Sequence, residues 1–436
     1  MKNKMPILLI KNKVNQIRNS HFLKNIMAAF TGVAAAQIIT FLSMPIITRL
    51  YSPQDFGLLA AFTSLIGIIA PIVTLSYSNA ISMPKSNKSA MSIASLCIFC
   101  AIIIVPLIFI IVLLFGTSIA TLLNLSNNKY ILYLLPLLMF ISAFLFVAEQ
   151  LSVRYGFFKA KAKSYVISIF SANLMKIIFG FIFPNGIILI IILILTKLVN
   201  LISLIKLVPN KKDFNFTTWF DFTGIRDFAQ EYKDFPLYRL PQGIINGITL
   251  GLPVVIITSF LGVSAAGQYS LAVLVLGAPV MLLGQVVGDV LYPRITRALL
   301  DKTENATRLF DKINYFLALI SISGFSIVVF FGDIIFEFLF GKQWIVAGQY
   351  SQWLSIWMTG VLVTRSCISA IPALKLQRFL LGYEIAGLLL RVAVLYFGFY
   401  FFKSDITVIA AYSLCGFILT IILLFVTRFY ISKYTD

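Results

Sequence analysis

Apolar runs long enough to cross hydrocarbon recur along this 436-residue chain, where a spanning helix needs about 20 such residues. They fall at 25–48, 57–81, 90–115, 130–150, 164–183, 186–206, 236–260, 267–292, 313–333, 350–374, 381–402 and 405–431. Inside a bilayer every backbone donor and acceptor must be satisfied within the protein, so runs of this length leave helices as the solution. The chain therefore reads as an all-α polytopic membrane protein of about 12 transmembrane helices. The closest division lies in 164–206, where Phe-Pro-Asn-Gly at 183–186 supplies a turn that makes two helices rather than one. Composition agrees: 60% of residues are hydrophobic and 12% are charged, against roughly 25% charged in soluble domains.

The net charge of +19 would suggest nucleic acid for a soluble chain. Here the cations have a simpler place. With the N-terminus in the cytoplasm, 26 of the 35 Lys and Arg residues fall in cytoplasmic tails and loops. Four, Arg49, Lys129, Lys342 and Lys403, fall on the opposite side. This is the positive-inside bias, and one missed span would invert every later loop. Both termini are therefore expected in the cytoplasm, and no nucleic-acid partner is expected. The apolar run after the basic tail, residues 1–24, is too long for the roughly 7–15-residue core of a cleaved signal and reads as a retained first helix.

The longest loop, 207–235, mixes cations with Asp213, Asp221, Asp227, Glu231 and Asp234 and reads as a cytoplasmic linker with a short amphipathic helix. It divides the chain into a first half at 25–206 and a second at 236–436. The halves look related: Leu-Tyr-Ser-Pro-Gln-Asp-Phe-Gly at 50–57 and Phe-Leu-Gly-Val-Ser-Ala-Ala-Gly at 260–267 each follow the first helix of their half. They align Gly57 with Gly267. Six spans per half is an even number, so both repeats enter from one side. That predicts two six-helix lobes related by an axis along the membrane normal, around a central cavity.

The residues carry no catalytic set. Cys97, Cys100, Cys367 and Cys415 all lie in apolar runs, and Cys-Ile-Phe-Cys at 97–100 has no second pair, so core packing is the expectation. The single histidine, His21, sits in the basic tail. No carboxylate pair, metal cluster, nucleophile–base set or phosphate loop is visible, so a transporter is expected rather than an enzyme, without cofactor or metal. Five cations lie inside spans: Lys176, Lys197, Arg239, Arg365 and Arg391. A charge in hydrocarbon is costly and faces a polar cavity or the protein interior. Arg239 opens a span that also carries Pro236, Pro241 and Pro253. The plainer reading of each is a structural pair or a snorkelling side chain. Glu384 and Arg391, seven apart on one helix face, illustrate it.

Several motifs together carry a resemblance. Phe-Pro-Leu-Tyr-Arg-Leu-Pro-Gln-Gly-Ile-Ile-Asn at 235–246 resembles the seventh helix of bacterial oligosaccharide flippases, in the polysaccharide-exporter branch of the multidrug/oligosaccharidyl-lipid/polysaccharide superfamily. Thr-Arg-Leu-Tyr-Ser-Pro-Gln-Asp-Phe-Gly at 48–57, Arg-Tyr-Gly-Phe-Phe-Lys-Ala-Lys-Ala at 154–162, Tyr-Pro-Arg-Ile-Thr-Arg-Ala-Leu at 292–299 and Phe-Gly-Lys-Gln-Trp-Ile-Val-Ala-Gly-Gln-Tyr at 340–350 resemble its loops in order. The resemblance implies a fold like that of multidrug (MATE) exporters. It also implies transport, by alternating access, of an oligosaccharide on undecaprenyl pyrophosphate, an O-antigen or related surface-glycan unit. The cargo moves from the cytoplasmic to the periplasmic leaflet of the inner membrane, coupled to protons or another ion. The partners implied are the lipid-linked oligosaccharide, membrane lipids, and a glycan polymerase with its chain-length machinery.

For such a cargo Arg offers a bidentate fork to phosphate oxygens. Arg239, Arg365, Arg391, Lys176 and Lys197 are then candidate cavity cations. Arg154 and Lys159 border the cytoplasmic mouth, and Arg49 would meet phosphate on exit. Glu149, Asp289 and Glu384 are candidate ion-coupling carboxylates, with capping or pairing to loop cations as the alternative for the first two. Tyr77, Tyr238, Tyr269, Trp353 and Trp357 are candidate sugar-stacking walls or interfacial anchors. Three other readings stand beside this one. An ion-coupled exporter of small organic molecules calls for an acidic cavity. A glycan polymerase calls for a larger outer loop. A lipid II flippase often carries helices beyond twelve.

The topology has a direct check. In a cysteine-free background, single cysteines replacing Lys85 and Lys233 should resist a membrane-impermeant maleimide in spheroplasts, while those replacing Lys129 and Lys342 should react. The opposite pattern would overturn the assignment.

Overall fold

A computed structural model describes residues 21–209, 214, 219–300, 305–371, 374, 376–402 and 404–435. Most of the basic tail, Asp213 and Lys375 thus lie outside the described residues. Within them the chain is helical, without strands. In order come α1 (His21–Leu50), α2 (Pro53–Val73), α3 (Asn87–Leu122), α4 (Leu134–Arg154), α5 (Phe158–Ile182) and α6 (Gly186–Leu207). The short α7 (Ile225–Glu231) and a π turn (Phe235–Arg239) follow, then α8 (Leu240–Leu261), α9 (Val263–Leu300) and α10 (Ala306–Phe340). The chain closes with α11 (Ile345–Val363), α12 (Arg365–Ala370), α13 (Gln377–Phe402) and α14 (Asp405–Thr435).

Local chemistry sets several of these ends. Ser52 and Asp55 form a capping box before α2. The Ser52 N–H and hydroxyl donate to Asp55 Oδ2 at 2.9 and 2.6 Å, and Asp55 N–H donates back to Ser52 Oγ at 3.3 Å. Pro53 then stands at the first helical position, where its missing N–H costs nothing. The turn at 183–186 ends α5 and starts α6 where expected, and Asn185 Oδ1 accepts from Ile187 N–H at 2.9 Å.

Among the described residues, eleven helical segments are long and apolar enough to cross a bilayer, one fewer than the count of runs. The missing one is 350–374, which is α11 and α12 broken at Thr364. Gln349, Gln352, Trp353 and Trp357 make α11 less apolar than its neighbours. Ten of its 19 residues are buried, so protein rather than lipid surrounds much of it. A helix sheathed by other helices is under no pressure to be apolar all round.

The contacts divide the chain into two compact units. One comprises residues up to Ile47, Phe62–Thr121 and Ser126–Ile248; the other comprises Thr48–Ala61, Leu122–Leu125 and residues from Thr249 on. In the first, α4, α6 and the N-terminal half of α3 build the core, with Cys97 and Cys100 buried in it. The described residues of the loop at 207–235 pack on this core. Trp219 is fully buried and stacks on Phe144 at 6.3 Å, and Phe214 packs beside it. The α7 segment supplies the short helix expected there, and its Ala229 carbonyl accepts from the Tyr77 hydroxyl at 3.2 Å.

The second unit contains a clasp built from three of the sequence motifs. Gly57 in α2 and Gly267 in α9, equivalent positions of the two halves, lie against each other's helices. A Cβ on Gly57 would collide with the Val263 carbonyl, and one on Gly267 with the Pro53 carbonyl. The loop between α10 and α11 closes over the pair. Gln343 Nε2 donates to the carbonyls of Thr48 at 2.6 Å and Tyr51 at 3.3 Å, and Trp344 Nε1 donates to Thr48 O at 2.8 Å. Those acceptors belong to the last turn of α1 and the residue beyond it, whose carbonyls have no helical partner. Trp344 is fully buried and meets Phe56 edge-on at 5.0 Å. Gln268 joins the loop twice, donating to Gln343 O at 2.7 Å and accepting from Ala347 N–H at 2.9 Å. Burial, with the nearby Asp55 carboxylate, pushes the Tyr51 phenol up to about 12. The chain repeats Ala-Gly-Gln-Tyr-Ser at 266–270 and 347–351, once at each side of this junction.

The clasp predicts a graded stability series. Gly57→Val and Gly267→Val should each cost about 3 kcal/mol or more by overpacking against backbone. Trp344→Phe should cost about 1 kcal/mol, since Gln343 still serves Thr48. Gly277→Ala, with nothing within 4 Å of the added methyl, should be neutral or better. Thermal unfolding in detergent reads all four, and equal melting temperatures for the valine and alanine variants would refute the close packing.

Candidate functional site

The break between α11 and α12 positions the most distinctive charge. Thr364 ends α11 and turns its hydroxyl back to the carbonyls of Gly360 and Val361, at 3.0 and 3.1 Å. Ser366 is fully buried and ties α12 to α10 through the side chain of Asn314. Between them Arg365 is directed across α9. A Cβ on Gly284 would come within 2.9 Å of the Arg365 Cδ and Nε, so glycine is what lets the guanidinium stem lie there. Arg365 Nε is buried without a hydrogen-bond partner among the described residues, and no carboxylate pairs with this arginine. Asn314 Nδ2 is also buried and unpaired. A desolvated cation with an open donor calls for an anion.

Arg391 is different. Its Nε donates to Gly387 O at 2.9 Å, and its guanidinium lies 5.6 Å from the centre of the Trp357 ring. Trp357 meets Tyr412 edge-on at 5.3 Å, and Tyr412 meets Tyr269 at 6.5 Å. α9, α11, α13 and α14 thus share a cation–aromatic cluster. Trp357 lies on α11 and Arg365 just beyond the break at Thr364, so both belong to the second unit.

The other sequence candidates are spread out. Arg239 is exposed on the π turn and donates to Gln242 Oε1 at 2.7 Å. Lys176 and Lys197 are half-buried in α5 and α6. Arg154 is committed to structure: it donates to Ile81 O at 3.2 Å, Pro84 O at 2.8 Å, and Asn87 Oδ1 at 3.2 and 3.1 Å. Arg49, exposed, donates to Phe338 O at 3.1 Å. Lys159 is exposed in the first turn of α5. Glu149 is ion-paired with Lys161 at 3.3 Å, the alternative weighed from sequence. Glu384 is exposed on α13 and forms no ion pair with Arg391. The side chain of Asp289 lies outside the described residues. Tyr238 is exposed, while Tyr77 and Tyr269 are buried in protein. Gly284 and Tyr412 were not singled out from sequence. A lone glycine facing an arginine on another helix leaves no local signal, and Tyr412 sits in an ordinary apolar run.

Comparison with known proteins fits this architecture. Residues 46–349 match the model of a family described as polysaccharide biosynthesis protein. A curated relative, the teichuronic acid biosynthesis protein TuaB of Bacillus subtilis (strain 168), is 27% identical over 130 residues, 29% of this chain and 26% of the relative. The match thus spans about a quarter of that relative's length. Among solved structures, a multidrug-resistance MATE transporter of the MOP superfamily in an inward-facing conformation superposes with a TM-score of 0.70 at 15% identity, covering 91% of this chain and 95% of that one. The lipid II flippase MurJ in an inward closed conformation gives a TM-score of 0.68 at 13% identity, covering 95% and 90%. At these identities the likeness is one of fold: this is a multi-pass, all-α membrane protein of the MATE-like architecture.

The two arginines should separate on substitution. Arg365→Met removes a half-buried charge without a counter-charge among the described residues and should leave the melting temperature unchanged or raised. Arg391→Ala strips a cation from Trp357 and should lower stability by about 1 kcal/mol. A large loss of stability in Arg365→Met would show that the residue is held by protein partners.

Proposed function

The chain belongs to the polysaccharide biosynthesis protein family, and from that premise we propose that it is a flippase for a lipid-linked oligosaccharide. In this reading the cargo is a glycan unit on undecaprenyl pyrophosphate, carried from the cytoplasmic to the periplasmic leaflet of the bacterial inner membrane by alternating access. Both termini lie in the cytoplasm. A glycan polymerase and its chain-length machinery take the product on the far side.

One observation carries the proposal: Arg365 is half-buried with its Nε fully buried, lies across Gly284 and lacks a counter-charge among the described residues. A pyrophosphate crossing about 30 Å of hydrocarbon needs a fixed cation to replace lost hydration. The guanidinium fork matches two phosphate oxygens, and a buried site strengthens the pairing. Trp357, half-buried and backed by the buried Tyr412 and Tyr269, offers aromatic surface for the first sugar, with Arg391 held against it. Arg239, Lys176 and Lys197, in the first unit, are further candidate contacts for the pyrophosphate. An exporter of organic cations would have an anion where Arg365 stands.

Ion coupling completes the proposal. Glu149 is occupied by Lys161, which leaves Glu384 as the stronger candidate proton carrier of the two carboxylates whose side chains are described.

The test is translocation of a fluorescent undecaprenyl-pyrophosphate oligosaccharide in proteoliposomes, with and without a proton gradient. Wild-type protein should flip it, Arg365→Met should lose at least about tenfold in rate, and Glu384→Gln should lose gradient dependence. Flipping of lipid II but not of this probe would move the assignment to the other glycolipid. Transport of neither, by well-folded protein, would refute a flippase.

A further inference from the structure

The first turns of α5 carry a face distinct from the Arg365 site. Lys159, Ala162, Lys163, Val166 and Ile167 recur at helical spacing and line a groove of ≈ 580 Å³, completed by Thr31, Gly32 and Ala35 of α1. α1 and α5 touch at one end, where a Cβ on Gly32 would come within 2.6 Å of the Ala162 Cβ. Beyond that crossing the small side chains leave an apolar trough. Its head holds two ammonium groups, and no carboxylate is in its lining among the described residues. The intervening Lys161 is turned away to Glu149 at 3.3 Å, whereas Lys159 and Lys163 are exposed and form no ion pair among the described residues.

We propose that this groove binds one anionic phospholipid, its phosphate between Lys159 and Lys163 and an acyl chain along Ala35, Ala162 and Val166. The groove lies within the first unit and uses none of the second unit's cations. The proposal rests on the cytoplasmic placement of the α4–α5 loop, the leaflet where anionic lipid is drawn to basic clusters between helices. Charge selects an anionic headgroup. The occupant is a phospholipid rather than the glycan-bearing cargo because Thr31 is the one uncharged polar side chain in the lining, so sugar hydroxyls would go unpaired there. The bound lipid fastens α1 to α5 at a crossing otherwise made through Gly32.

Native mass spectrometry of the full chain, released from nanodiscs holding equal phosphatidylglycerol and phosphatidylcholine, tests this. Wild type should retain one phosphatidylglycerol. Lys159→Gln/Lys163→Gln should weaken retention roughly thirtyfold, the product of two lysine–headgroup contacts, and Lys161→Gln should not. Ala35→Trp should also expel the lipid by filling the trough; if it fails to fold, the lysine pair decides alone. Equal retention of phosphatidylcholine, or unchanged retention in the double variant, would overturn the proposal. Stoichiometric displacement by undecaprenyl pyrophosphate would overturn it in favour of cargo. The readout needs no transport, so it stands or falls separately from the flippase assignment.

Discussion

A backbone N–H or C=O without a partner costs several kcal/mol in hydrocarbon, and the places where this chain stops being a regular helix follow from how that cost is met. At the end of α1 the Thr48 carbonyl takes two donors from one distant loop, Gln343 and Trp344. At Thr364 the hydroxyl of the breaking residue takes up carbonyls of the turn before it. Before α2 the Ser52–Asp55 box closes a helix start with its own side chains. The first two solutions each fix a neighbouring feature: the Gly57–Gly267 contact in the first case, the direction of Arg365 in the second. Helix ends are therefore where this fold keeps its specific side-chain chemistry.

Sequence carried the architecture well because the bilayer simplifies the problem. Length, apolarity and the Lys/Arg bias are each set by the membrane, and the helices α1 to α6 fall close to the runs read from them. The tenth span was harder. Apolarity reports contact with lipid, and α11 is largely wrapped by protein, so its glutamines and tryptophans carried no warning of a break at Thr364. The pairing of Gly57 with Gly267 was visible only as a likeness between halves; that the two equivalents touch is tertiary information. The repeated Ala-Gly-Gln-Tyr-Ser was a legible signal of the same junction.

The candidate site was legible by residue type and not by role. Sequence named the intramembrane cations, because a charge in an apolar run is rare and costly. It put Arg239 and Arg365 first but could not say what each side chain meets. Arg154 spends its donors on the α2–α3 loop and the start of α3, and Arg391 rests on Trp357. Both are held by the protein. Arg365 alone among the intramembrane arginines is buried at Nε and lacks a partner among the described residues. That asymmetry turns a list of arginines into a binding hypothesis, and Gly284 on the facing helix gives it a geometry.

The most direct measurement is photo-crosslinking of undecaprenyl pyrophosphate bearing a diazirine next to the phosphates, with the modified residues mapped by mass spectrometry. Label on the peptides around Gly284 and Arg365, displaced by unlabelled lipid pyrophosphate and lost in Arg365→Met, is the predicted result. Label confined to other helices, unaffected by Arg365→Met, would contradict the account at its centre.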